Sequence, residues 1–384
     1  MLFKDIIGQE NIKKYLIKTV ENGRIPHAQL FVAPQGSGAL LLAIAYAQYI
    51  LCKNNEGENT TGEKNCNSKF EKLVHPDLHF VFPVAARNKK EKHPISNMFL
   101  DEWRQFIKES PYGSMYNWYQ LLSIENKQGQ IGVDEAENIV KKLALKSYEG
   151  GFKIMIIWMA EKMNIAASNK LLKLIEEPPK NTLLLLITEN EDQIINTILS
   201  RCQVLQFRAL SEHDIKDALV KNENIDENLA HKIANRANGN YNKAIHLLHD
   251  DANDLVFENW FIFWVRTAFR AKGNATVVQD LVGWSDEIAK TGRETQKRFL
   301  LYCLQFFRQA LLLNYKANEL VFYESQTKNF DLNKFAPFVH GANIENISQA
   351  LNDAIYHIER NGNAKIILLD LSINLTRFLH QKEG

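Results

Sequence analysis

A glycine-rich segment near the N-terminus has the spacing of a phosphate-binding loop but lacks its charged residues. The segment Ala33–Leu40 reads Ala-Pro-Gln-Gly-Ser-Gly-Ala-Leu. Gly36 and Gly38 permit a tight turn whose backbone N–H groups converge, the arrangement that holds phosphates at a helix N-terminus. Hydrolysis also needs a lysine for the phosphates and a Ser or Thr hydroxyl for Mg²⁺, but Ala39 and Leu40 stand there. We therefore expect a degenerate loop with no nucleotide cofactor and no metal.

A second position that ATP hydrolysis requires is also altered. An ATPase of this layout places an Asp-Glu pair at the end of a core strand, to hold Mg²⁺ and polarise the attacking water. The run Ile156–Glu161 has Trp158 and Met159 at those places. A glycine-rich turn alone could be an ordinary strand-to-helix connection, but two losses at the positions that hydrolysis needs indicate an inactive site. No intrinsic ATPase activity is expected.

Three short apolar runs predict the buried parallel strands that position these segments. They lie at 29–32, 153–158 and 182–188, each flanked by helical pattern, which is typical of an α/β sheet covered on both faces. A helix is predicted over Asn164–Glu177, with Asn164 as its N-cap and two prolines after its end.

Beyond Phe207 the pattern becomes helical to the end of the chain. Apolar residues recur at helical spacing within 298–315 and 347–358, and 366–379 predicts a packed helix. The change near residue 210 predicts one domain boundary, and the polar cluster Asp250–Asn253 predicts a second.

Composition indicates an ordinary soluble protein. The 46 basic and 45 acidic side chains nearly cancel, so no global positive field would hold nucleic acid unaided. The N-terminal run Met1–Ile7 does not have the pattern of a signal peptide, and no apolar stretch is long enough to cross a membrane. Four scattered cysteines predict no disulfide framework and fit a reducing compartment, so a cytoplasmic location is expected.

Taken together, the motifs resemble the bacterial clamp-loader family of the AAA+ superfamily, in particular its delta-prime subunits. Each motif alone is short, but the combination spans nearly the whole chain. The matching segments are Ile7–Gln9, Pro26–Ala28, Ala33–Leu40, Asn169–Pro179, Ser200–Cys202 and Asn363–Leu369.

The resemblance implies a fold and a function. The fold would be an AAA+-type α/β parallel-sheet domain with a degenerate phosphate loop (1–210), a helical lid (211–253) and an all-α collar for oligomerisation (254–384). The chain would be an ATPase-inactive stator of the DNA polymerase III clamp loader, a family usually classed among DNA-directed DNA polymerase subunits. Its partners would be motor and delta subunits, the sliding clamp and, through the complex, primed DNA.

The resemblance also implies a role for Arg201. In Ser200-Arg201-Cys202, clamp loaders present the arginine to ATP on a neighbouring subunit, so Arg201, with Ser200, is the candidate catalytic residue in trans. The alternative is that Arg201 caps the C-terminus of the preceding helical segment, 191–199. In the lid, Asn242 stands where an active ATPase would offer an arginine.

A four-cysteine zinc module is common in the family just after the first helix of the sheet domain. Here only Cys52 and Cys66 occur in that region, and they could recruit His75 and His79. The alternative is a loop with incidental thiols.

The insertion at about 84–130 contains several aromatic residues and a basic loop, 87–93. The aromatics could form a nucleic-acid or partner surface, but local packing is favoured because little beyond the loop lysines supplies a basic groove. The loop is expected to be solvated. The aromatic residues are Trp103, Tyr112, Tyr116, Trp118 and Tyr119, and the loop lysines are Lys89, Lys90 and Lys92.

Other functions stay open at this point. One is an active ATPase whose lysine comes from elsewhere, such as Lys153 or Lys162, and another is a DNA-binding adaptor outside any ring. The clamp-opening delta subunit is a further possibility within the family, but delta subunits are not expected to keep the Ser-Arg-Cys motif.

Overall fold

The computed structural model describes residues 2–52, 64–88, 91–125, 127–149, 151–249, 251–321 and 330–381. The chain forms two compact units, Met1–His246 and Leu247–Gly384. The boundary predicted near residue 210 lies inside the first unit and stays a prediction, as does the one at 250–253.

A five-stranded parallel sheet organises the first unit, in the order β2-β3-β4-β1-β5. Its strands are β1 Ala28–Val32, β2 Leu78–Val81, β3 Lys153–Trp158, β4 Thr182–Thr188 and β5 Gln203–Gln206. The first unit also contains helices α1 Glu10–Glu21, α2 Ala39–Leu51, α3 Lys64–Glu71, α4 Leu100–Glu109, α5 Met115–Leu122, α6 Val133–Ala144, α7 Ile165–Glu176, α8 Asn196–Leu199, α9 Glu212–Glu223, α10 Glu227–Ala237 and most of α11 Tyr241–His249.

The predicted core of the sheet is confirmed. Strands β3 and β4 are buried along their whole length, which explains their continuous apolar sequences. Asn164 caps α7, its Oδ1 accepting a hydrogen bond from the N–H of Ala167 at 2.8 Å. Strand β2 was not among the predicted strands.

The aromatic residues of the insertion mostly serve packing, as favoured from the sequence. Trp103 on α4 and Trp118 on α5 are fully buried. The ring of Phe82 stacks on Trp103 with a centroid separation of 4.1 Å, and Trp118 meets Phe82 edge-on. In the basic loop, Arg87 pairs with Glu91 and Glu102, whereas Lys89 and Lys90 lie outside the described residues.

The expectation of no disulfide is wrong. Cys52, at the C-terminal cap of α2, is bonded to Cys66 on α3, with their Cα atoms 5.6 Å apart. The bond uses both thiols that the zinc alternative required, and a thiolate rather than a disulfide is the zinc ligand. His75 lies beside Glu149, with its Nε2 atom 3.2 Å from Glu149 Oε2. Burial lowers the pKa of His79 to about 4.

The described residues of the second unit form helices and connecting turns without a strand, which confirms an α/β region followed by an all-α region. Trp264 is fully buried at its centre, stacks on Trp284 and donates its indole N–H to Ser372 Oγ at 2.8 Å. No helix of the described residues is long and apolar enough to cross a membrane. The helices are α12 Asp251–Arg270, α13 Ala275–Ala289, α14 Arg293–Asn314, α15 Leu332–Phe335, α16 Gly341–Glu359 and α17 Ala364–Phe378.

Candidate functional site

The glycine-rich segment forms a tight turn between β1 and α2. Gly36 and Gly38 adopt φ angles of 71° and 86°, the left-handed region that favours glycine. The N–H of Ser37 donates to Pro34 O at 3.2 Å, and α2 begins directly after Gly38. Both glycines are therefore needed for the backbone conformation of this turn.

The two positions that would carry the lysine and the Mg²⁺ ligand belong to the apolar core. Ala39 is 6% exposed and Leu40 is 7% exposed, and both pack in the cluster that also holds Trp158. Positions 39 and 40 therefore offer neither the lysine nor the hydroxyl that a working phosphate loop supplies to a nucleotide and Mg²⁺.

The position of the missing Asp-Glu pair is filled by aromatic packing. Trp158 ends β3 and is 4% exposed. Its ring centroid lies 5.2 Å from that of Trp103 and 5.5 Å from that of Phe106, both on α4. Met159, the next residue, is 3% exposed. Side chains of the insertion thus occupy the surroundings in which carboxylates would hold a metal.

Three residues from distant parts of the first unit lie directly against the loop, and we call Tyr112, Asn240 and Tyr241 the loop cover. A Cβ on Gly36 would lie 2.0 Å from Asn240 Oδ1, and one on Gly38 would lie 2.8 Å from the Tyr112 ring. Two hydrogen bonds stabilise this arrangement. Asn240 Nδ2 donates to Gln35 Oε1 at 3.2 Å, and the Tyr241 N–H donates to Gly36 O at 3.3 Å.

The two tyrosines of the loop cover also contact each other. Their rings meet edge-on with centroids 4.9 Å apart. Tyr112 Oη accepts a hydrogen bond from the Ile7 N–H at 2.9 Å, and burial raises the pKa of Tyr112 to about 12. Tyr112 therefore stays a neutral phenol at physiological pH. Sequence reasoning grouped Tyr112 with the packing aromatics and did not place it at the loop.

Two buried polar atoms near the loop have no hydrogen-bond partner among the described residues. They are Ser37 Oγ and Glu161 Oε2. The other carboxylate oxygen, Glu161 Oε1, accepts from the Glu189 N–H at 3.4 Å. Burial raises the pKa of Glu161, an effect only partly offset by the hydroxyl of Thr188 and neighbouring N–H groups. Glu161 thus belongs to the site. The sequence analysis named it only as the last residue of the run Ile156–Glu161 and gave it no role.

Replacing Glu161 by glutamine is expected to stabilise the protein more at pH 8 than at pH 5. Because its pKa is raised by folding, the favourable contribution of Glu161 is present below the unfolded carboxyl pKa and is lost as pH rises through the folded pKa. Glutamine does not titrate. Thermal unfolding should show a larger gain in Tm from Glu161→Gln at pH 8 than at pH 5.

The exposed residue Glu177 supplies the control for that measurement. The change in Tm caused by Glu177→Gln is measured at both pH values, and the pH-dependent gain of Glu161→Gln should exceed it. An equal response of Glu161→Gln at pH 5 and pH 8 would show that burial does not govern its proton.

Arg201 lies on the surface, just after α8. Its side chain is 37% exposed and pairs through Nε with Glu176 at the end of α7. Nη1 donates to Thr197 O at 3.0 Å and to Ser200 Oγ at 3.1 Å. The contact with Thr197 is the helix-capping contact considered from the sequence. Within the described part of the chain, none of these partners belongs to the phosphate loop.

Asn242, which stands where an active ATPase would offer an arginine, contacts the insertion. Its Nδ2 donates to Asn117 Oδ1 at 3.0 Å, and Asn117 also lies 3.2 Å from His246 Nε2. An asparagine in this network offers no charge to a nucleotide. The structure thus brings the glycine-rich loop, Trp158 and Asn242 into one region.

Comparison with known proteins assigns the family. A family profile described as DNA polymerase III, delta subunit, matches residues 8–211, more than half of the 384-residue chain. The chain belongs to this family. The matched range holds the glycine-rich loop, the end of β3 and Arg201, and the whole second unit, Leu247–Gly384, lies outside it.

Relatives within and beside the family support the resemblance to delta-prime subunits. The DNA polymerase III subunit delta' of Bacillus subtilis is 30% identical over 243 residues, which cover 63% of this chain and 60% of the relative. Subunit tau of the same organism is 26% identical over 251 residues, or 64% of this chain and 37% of the relative. The alignments thus span less than two thirds of the length of these relatives.

Among solved structures, a DNA polymerase III gamma subunit-related protein of Thermotoga maritima aligns over 97% of this chain and 99% of its own. The identity is 13% and the TM-score is 0.39. That score is too low to establish a shared fold, so the fold class stands on the strand order of the sheet.

Proposed function

We propose that this chain is an ATPase-inactive subunit of the delta-prime type, a stator in a DNA polymerase III clamp loader that helps place a sliding clamp on primed DNA. The proposal rests on a contrast between buried apolar residues at the catalytic positions and an exposed arginine. Ala39, Leu40 and Trp158 turn the catalytic positions into apolar core, while Arg201 stays exposed at the surface. Family membership supplies the context for interpreting both.

The loop cover adds a second argument for a silent pocket. A nucleotide reaching the loop would have to displace Tyr112 and Asn240 and break their hydrogen bonds. It would gain no lysine contact in return, because Ala39 holds that position. We therefore infer that the pocket neither binds nor hydrolyses ATP.

Arg201 is proposed to complete the ATP site of an adjacent motor subunit, with Ser200 beside it. Its bond to Glu176 is an exposed ion pair, which is worth about 1 kcal/mol or less and can be exchanged for a phosphate. A guanidinium suits this task because it is permanently charged and can bridge two oxygens.

The remaining assignments belong to the same proposal. Residues 1–210 would be the AAA+-type domain, 211–253 the lid and 254–384 the collar that joins motor and delta subunits. The chain would reach primed DNA through the complex and act in the cytoplasm. The rival ATPase with a relocated lysine loses one donor, since Lys153 Nζ bonds the carbonyls of Leu143 and Leu145.

Reconstitution tests the proposal. The purified chain, mixed with the motor and delta subunits of its own organism, is expected to elute as one complex and to load the clamp on primed DNA. Alone it should show no Mg²⁺-dependent ATP turnover, because the cation and the metal ligand are both missing. The measurements are size-exclusion chromatography and phosphate release.

Each rival function predicts a different outcome. Robust turnover by the pure chain would establish an active ATPase. Failure to join the complex, combined with tight binding of primed DNA by the chain alone, would establish an adaptor outside the ring.

A further inference from the structure

An open groove in the second unit has the chemistry of a cation-binding site. It lies between α12 and α13 and has a volume of about 310 Å³. Trp260 and Phe263 of α12 line it, together with Asp280, Gly283, Trp284 and Glu287 of α13.

The two tryptophans of the groove are held by hydrogen bonds of their own. Trp260 Nε1 donates to Glu287 Oε1 at 2.8 Å, and Trp284 Nε1 donates to Trp260 O at 3.1 Å. Trp284 also stacks on Trp264, with centroids 5.1 Å apart and planes at 6°. Phe263, in contrast, is 45% exposed. The groove therefore has a fixed aromatic side and an apolar rim open to solvent.

The α13 side of the groove carries two exposed carboxylates, with open space at the glycine between them. Asp280, Gly283 and Glu287 follow each other at intervals of three and four residues, so they share one face of α13. A Cβ added to Gly283 would meet nothing within 4 Å. Within the described residues, Asp280 forms no ion pair or hydrogen bond, and Glu287 is engaged by a neutral indole. Two carboxylates thus flank an empty space beside aromatic rings.

We propose that this groove binds an arginine side chain presented by a segment of a partner protein. A planar guanidinium stacks on an indole and donates several hydrogen bonds to carboxylates at the same time. Its aliphatic stem would lie along Phe263. The acidic charge disfavours nucleic acid and other anions, so the partner is a basic polypeptide segment. This site goes beyond the proposed function and does not require clamp loading.

A pair of peptides that differ in one charge tests the proposal directly. The full chain is titrated with acetyl-Gly-Leu-Arg-Leu-Gly-amide and with the same peptide carrying citrulline, the neutral isostere of arginine. The readout is the indole N–H resonances, assigned by tryptophan-to-phenylalanine variants. We expect the arginine peptide to bind at least about fivefold more tightly and to shift Trp260 and Trp284 but not Trp158.

Three variants locate the site. Asp280→Asn should reduce the preference for arginine over citrulline to about twofold or less. Gly283→Leu should abolish binding by filling the gap, and it should fold because leucine favours a helix more than glycine does. Glu345→Gln, a change at an exposed carboxylate on α16, should bind like the unmodified chain.

Three outcomes would overturn the proposal. Equal binding of both peptides would show a merely apolar groove, and binding by Gly283→Leu as tight as by the unmodified chain would place the peptide elsewhere. Self-association in sedimentation that Gly283→Leu removes would identify a second copy of the chain as the occupant.

Discussion

Replacing Arg201 by alanine is expected to lower ATP hydrolysis at the adjacent motor subunit's site by about 10³-fold or more, while the complex still assembles. The physical reason is that negative charge on the transferred phosphoryl group would lose its guanidinium partner in the transition state. The assay is steady-state phosphate release by the complex with clamp and primed DNA, alongside chromatography of the assembled complex.

Controls distinguish a finger from a helix cap. Because the Arg201 side chain is 37% exposed, its loss should change the stability of the isolated chain by about 1 kcal/mol or less. Arg201→Lys should recover only part of the rate, since an ammonium lacks the planar fork. Arg24→Ala, at another exposed arginine of the first unit, should leave the rate unchanged.

The opposite result has a clear meaning. Unimpaired hydrolysis by an Arg201→Ala complex, or a large loss of stability in the isolated variant, would contradict the finger role. Arg201 would then serve to cap the helix through its contact with Thr197 O.

The sheet could be predicted from sequence where burial on both faces leaves a continuous apolar run. Strands β3 and β4 were predicted with their observed bounds, and β1 begins one residue earlier than predicted. Strand β2 was missed because His79 interrupts its apolar residues and a polar run precedes it. The segment therefore lacks the continuous apolar run by which the other core strands were predicted.

Residues of the site that belong to a local motif could be predicted from the sequence, whereas contacts between distant residues could not. The loss of the lysine and of the acidic pair can be seen in the sequence, because each depends on residue type at a known place in a motif. The loop cover cannot, since Ile7 and Tyr112 are 105 residues apart and Gln35 and Asn240 are 205 apart. The Cys52–Cys66 bond was also hidden, because spacing along the chain does not give a Cα separation.

Restoring an acidic residue at the end of β3 is expected to unfold the first unit rather than revive a catalytic site. Trp158→Asp removes a ring that packs on Trp103 and Phe106, a loss that costs about 3–5 kcal/mol for large aromatic side chains in cores. It also places a carboxylate without a partner in apolar surroundings, which adds about 1–3 kcal/mol or more. Urea unfolding should therefore show a stability loss of at least about 4 kcal/mol.

Hydrogen exchange shows whether that loss is confined to the first unit. Protection of β3 and β4 should collapse in Trp158→Asp, whereas α14 in the second unit should keep its protection, because its core is built from other residues. Trp158→Phe, which keeps an aromatic ring, should lose less than half as much stability. If Trp158→Asp were as stable as the unmodified chain and bound Mg²⁺ with ATP, the end of β3 would be a metal site lacking one ligand. The interpretation of Trp158 as core would then be wrong.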